Sequence, residues 1–154
     1  MEHIAAIIAK VDTIDIEAQY DQIFKKQPFL LSLLIGYQKD LTIEEFGQIN
    51  KLILMIWEYF KENQNVKRTK MTQTQFEKAQ DRNIHLLKYL QEDSQQLKTI
   101  ASDLEHLKSK DLLSGLFFQF QSQKILSDMS IEIKAIIMIG MKSIIECFEE
   151  IKKR

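Results

Sequence analysis

A nearly all-helical bundle is the fold this sequence predicts, and two shortages predict it. There is one proline, Pro28, and there are four glycines, Gly36, Gly47, Gly115 and Gly140, in 154 residues. Helix interiors exclude proline and disfavour glycine, whereas turn-rich β folds need many positions at positive φ. Apolar residues also recur every three or four positions through most of the chain, the helical period. These observations imply an all-α, single globular helical domain over residues 1–154, of about six or seven helices. Two central apolar helices are expected at about 43–62 and 130–152, and 63–72 is expected to be a polar exposed loop.

The first segment runs from Ile4 to about Lys25 on a stripe of Ile4, Ile7, Ile8, Val11, Ile14, Tyr20, Ile23 and Phe24, with Asp12 or Thr13 positioned to cap a second half. Pro28 has the pre-set φ of a first helical turn and opens a short segment that is apolar nearly all round, Phe29 to Tyr37. Thr42 and Glu45 have capping-box spacing, each side chain able to satisfy the other residue's free amide, at the head of a helix from Ile43 to about Glu62. Phe46, Ile49, Leu52 to Trp57, Tyr59 and Phe60 are too many apolar groups for one stripe, so this helix is placed centrally.

Asn63 to Thr72 carries little to bury, which makes it the expected mobile region. Thr72 and Gln75 form a second capping box, and from Gln73 the helical pattern continues to Lys108, with Asp93 and Gln96 marking the one candidate break. Asp111 is positioned to cap a helix holding Leu112, Leu113, Leu116, Phe117, Phe120 and Ile125. Phe118 to Gln121 alternates like a strand, but a lone strand has no partner for its backbone groups, so helix is the reading. The last helix begins near Ser130 and ends on Lys152, Lys153 and Arg154, cations suited to the negative end of the macrodipole.

With 21 basic and 22 acidic residues the formal net charge is −1, so no global field gathers nucleic acid or anionic lipid. The apolar runs Leu52–Trp57 and Ala135–Met141 fall far short of the ~20 residues a membrane span needs, and Met1–Lys10 lacks the features of a secretory signal. The single cysteine, Cys147, excludes an intramolecular disulfide and fits a reducing compartment. A cytoplasmic protein with no membrane partner is the expectation.

The search for chemistry starts with histidine, the usual base and metal ligand near neutral pH. His3 is terminal, His85 follows Asp81 by one turn, and His106 follows Asp103 by three residues. If the chain turns at Asp93–Ser94, Asp81 meets His106 and His85 meets Asp103. Both pairs fall on charged faces, and Glu-x-x-His, HExxH, paired Cys-x-x-Cys and Gly-rich phosphate loops are all absent. Cys147, on an apolar helix with no histidine nearby in sequence, reads as a buried and inert thiol. Glu44, Glu45, Glu146, Glu149 and Glu150 read as solvating groups.

Lys67, Arg68 and Lys70, extended by Lys61 and Lys78, make the one concentrated basic patch, too few charges for a nucleic-acid interface. Trp57, Tyr59, Phe60, Phe117, Phe118, Phe120, Met138 and Met141 are the residues a small apolar ligand would meet, with Gly140 leaving space, although such stripes ordinarily form core. No catalytic residue, cofactor or metal ligand is therefore assigned. The apolar excess of segments 29–37, 46–60 and 131–151 points to a protein–protein interaction or regulatory module that self-associates or meets a protein partner. A helical-bundle ligand-binding protein or enzyme with an interior pocket is the alternative.

Overall fold

The computed structural model describes residues 2–92 and 108–153. Among these the chain forms nine helices and no strand: α1 (Glu2–Thr13), α2 (Ile16–Lys26), α3 (Pro28–Gln38), α4 (Ile43–Phe60), α5 (Gln64–Arg68), α6 (Gln73–Glu92), α7 (Lys110–Ser122), α8 (Lys124–Ser127) and α9 (Ile131–Lys152). The count exceeds the expected six or seven because two expected segments are divided and one loop is partly helical.

The first division falls later than expected. Asp15, not Asp12 or Thr13, caps α2 by accepting a hydrogen bond from the Ala18 amide, while Thr13 bonds back to carbonyls of its own helix. The second falls at Gln123, whose extended backbone separates α7 from the single turn of α8. At the head of α7 the N-cap position falls on Ser109, whose hydroxyl makes no capping bond, and the expected cap, Asp111, lies inside the first turn, accepting from Leu112 N and from the Tyr59 hydroxyl. Both capping boxes form as their spacing implies, Thr42 with Glu45 and Thr72 with Gln75. Ser130 caps α9 through the Ile133 amide.

α4 and α9 are the two central helices. From Ile49 to Phe60 every residue of α4 except Asn50, Lys51 and Tyr59 is buried, and α1, α3, α7, α8 and α9 all pack on it. α9 is enclosed from Gly140 onward by α4, α5 and α6. Each Leu, Ile or Phe enclosed in this way contributes about 1.5–3 kcal/mol, so the two helices carry much of the driving force for folding.

Two glycines permit close approach. A Cβ on Gly115 of α7 would meet the Ile4 methyl of α1 at 2.6 Å, and a Cβ on Gly140 of α9 would overlap the Tyr37 hydroxyl of α3. Tyr37 thus seats its ring end in a notch that only glycine leaves open.

Residues 63–72, expected to be a polar exposed loop, hold the short helix α5 and two buried apolar side chains. Asn63 caps α5 through the Asn65 and Val66 amides, and Val66 and Met71 are buried. The segment is held by Gln27, fully buried between α2 and α3. Its Nε2 donates to the Val66 and Thr69 carbonyls and its Oε1 accepts from Met71 N, all at 2.8 Å. One amide side chain thereby satisfies three backbone groups that would otherwise be buried unpaired. The candidate break at Asp93 and Gln96 lies outside the described residues.

Candidate functional site

The apolar excess read from the sequence separates into two fates. Segment 46–60 is almost wholly core, whereas Ile35 in segment 29–37 and Ile131 and Ile136 in segment 131–151 remain exposed. Ile35 lies on an open apolar surface shared by three helices. The helical stripes Ile16–Tyr20 of α2, Leu31–Leu34–Ile35 of α3 and Phe46–Gly47–Asn50 of α4 converge on an open groove of about 430 Å³. Asn50 is the one strongly polar residue among these, and its amide donates to the Phe46 carbonyl of its own helix. Ile35 is 63% and Ile16 46% exposed, and Ile43, one turn before Gly47 on the same stripe, is 88% exposed. Among the described residues nothing stands within 4 Å of where a Cβ on Gly47 would lie, so they leave the groove open down to the α4 backbone.

The polar groups between α6 and α9 behave in the opposite way, finding their partners inside the molecule. Between α6 and α9, Asn83 donates to the Ser143 hydroxyl and to Glu146 Oε1 and accepts from Lys142 Nζ, while Lys142 and Arg82 both pair with Glu146. Burial pushes the Glu146 carboxyl up, but hydrogen bonds from Lys142, Asn83 and Arg82 and the charge of Lys142 outweigh it and hold the group below the usual carboxylate range. Ser109 donates to Glu149 at 2.6 Å, and both are buried. Glu146 and Glu149 are therefore clamps between helices, a correction to the solvating role expected of them. Glu58 is a further buried carboxylate, bracketed by Lys10 and Lys61.

The other sequence candidates scatter. His85 and Asp81 are exposed, and the His85 ring nitrogen pairs with the Asp81 backbone carbonyl, not with its carboxylate. The expected meetings with His106 and Asp103 lie outside the described residues. His3 packs against Tyr59 with ring centroids 5.4 Å apart. Among the described residues no three His, Cys, Asp or Glu side chains converge to hold a metal ion. Cys147 is buried, and burial, with the charges of Glu146 and Glu150, pushes its thiol up to about 12, which leaves no nucleophilic thiolate at neutral pH.

The residues proposed to meet a small apolar ligand are largely core. Trp57, Phe60, Phe120 and Met141 are buried, Phe60 packs against Tyr59 and Phe148, and Phe118 faces solvent. Tyr37, not a cavity, occupies the space beside Gly140. Sequence reasoning did not single out Ile16, Ile35 and Gly47, because an exposed and a buried isoleucine carry the same signal in a helical stripe.

Among the described residues no helix is long and apolar enough to cross a membrane. No protein-family model matches the chain, and neither a curated protein nor a solved structure matches it.

Proposed function

We propose that this protein is a cytoplasmic helical interaction module that acts as a homodimer, with the α2–α3–α4 groove as its docking surface and a second copy of the chain as the occupant. The observation that carries the reading is that one face supplies both a recess and the ridges to fill it. Ile35 and Ile43 protrude beside the recess floored by Gly47 and walled by Tyr20, Leu31 and Phe46. A two-fold interface places the same patch on both partners, so it requires this kind of self-complementarity. A formal net charge of −1 adds negligible repulsion between copies. The single thiol, buried as Cys147, suits a reducing cytoplasm.

Native mass spectrometry of the intact chain tests the reading. The wild type is expected to be dimeric, Ile35→Glu monomeric, and Phe118→Glu, which alters an exposed aromatic on α7, still dimeric. A wild type that stays monomeric at high micromolar concentration, or an Ile35→Glu variant that stays dimeric, would overturn it.

A further inference from the structure

A second cleft, of about 300 Å³, lies between α2, the end of α4 and α5, lined by Gln22, Lys26, Trp57, Lys61, Glu62 and Lys67. Its chemistry is the reverse of the apolar groove. Lys26 of α2, Lys61 just past the end of α4 and Lys67 of α5 face one lining carboxylate, and the buried Glu58 bonded to Lys61 is also bonded to Lys10. Glu62 reaches Lys67 at 3.3 Å from a side chain that is 78% exposed, a solvent-screened pair of little strength. Among the described residues Lys26 pairs with no carboxylate. The carbonyl ends of α2 and α4 subtract about half a charge each, which leaves the cleft positive in a chain that is otherwise nearly neutral.

A second observation points to a missing acceptor. Trp57 is 2% exposed, and its indole Nε1–H has no hydrogen-bond partner among the described residues. A buried donor left unpaired carries a desolvation cost that an incoming acceptor removes. Nearby, the buried Gln27 amide donates to the Val66 and Thr69 carbonyls, and Asn63 Oδ1 accepts from the Asn65 and Val66 amides. Among the described residues, the Trp57 indole N–H is the one buried side-chain donor lining this cleft that is left without a partner.

We propose that this cleft binds a phosphate-bearing small molecule, with Lys26, Lys61 and Lys67 meeting the anionic oxygens and the Trp57 indole N–H donating to one of them. Lysine suits this role as a mobile point charge with three donors. The volume accommodates a phosphate group and a small organic remainder, and the site is independent of the dimer groove, sharing no lining residue with it.

Trp57 is the single tryptophan of the chain, so its indole gives one resolved cross-peak in a 15N–1H spectrum. The test is a titration of the labelled protein with potassium phosphate at ionic strength held constant with potassium chloride. The expected result is a saturable downfield shift of that peak, with the dissociation constant raised at least tenfold in Lys26→Gln/Lys67→Gln, a pair of substitutions on solvent-reaching side chains. An indole peak that does not move, one that potassium chloride alone moves equally, or a double variant that binds with wild-type affinity overturns the proposal.

Discussion

The seam between α6 and α9 and the face formed by α2, α3 and α4 are both built from helical stripes, yet one is complete and the other is not. At the seam Asn83, Ser143, Lys142 and Glu146 satisfy one another, so the two helices have one register in which every group is paired. On the α2–α3–α4 face, apolar side chains stand open around Gly47 with none of the described residues burying them. Polar networks specify how a chain closes on itself, because a half-satisfied network costs more than none. Apolar surface specifies nothing so strictly, and what the fold leaves uncovered is available to a partner.

The largest expected effect comes from breaking the seam. Asn83→Ala removes three hydrogen bonds and strands Glu146 and Lys142 in part, so unfolding free energy should fall by about 2–4 kcal/mol in urea melts. A loss below about 1 kcal/mol would mean that water replaces the amide and that the seam is not closed in the sense argued. Next in size is the notch: Gly140→Ala should cost about 1–3 kcal/mol by overpacking against Tyr37. Tyr37→Phe alone should cost little, because the Tyr37 hydroxyl is buried without a partner among the described residues, and combined with Gly140→Ala it should recover most of the penalty. A double variant no better than Gly140→Ala alone would place the strain elsewhere.

The seam should also fail in acid, with a definite sign. The folded Glu146 carboxyl lies below its ordinary value, so its stabilisation is complete above about pH 4.3 and is lost as pH falls through the lower folded value. Glu146→Gln should therefore lie furthest below the wild type at neutral pH, and the gap should narrow under increasing acidity, read from urea midpoints between pH 3 and 6. A gap independent of pH would remove the carboxylate charge from the account. Smallest is the effect of Ile35→Glu on the stability of the isolated chain, about 0.5 kcal/mol or less, because the side chain is already in solvent. A large loss would make Ile35 a core residue, and the contrast between the two regions would dissolve.

Local rules made much of the fold legible from the residues. The two capping boxes depend on pairs three residues apart, and both form. The central helices were readable from their apolar excess, to within about two residues of their ends. What could not be read depends on contacts distant in the chain. Gln27 reads as an ordinary polar residue before a proline, and its partners lie 39 to 44 residues on, so a segment that composition marks as loop is pinned and partly helical. Glu146 and Glu149 read as surface charges because Asn83 and Ser109 are 63 and 40 residues away. Leu34 and Ile35 are adjacent and equally apolar, and only the packed structure separates the buried one from the exposed one. In the lysine cleft, the basic run supplied Lys61 and Lys67 but gave no sign that Lys26 and Trp57 join them.

The central claim, that the α2–α3–α4 face is finished by a second copy, is tested most directly by isotope-filtered NMR on an equimolar mixture. One half carries 13C-labelled isoleucine methyls and the other half is unlabelled. The account predicts intermolecular contacts from the Ile16, Ile35 and Ile43 methyls to the Tyr20 and Phe46 rings of the other copy. Absence of any intermolecular contact, or contacts confined to Ile125, Ile131 and Ile136, would contradict it.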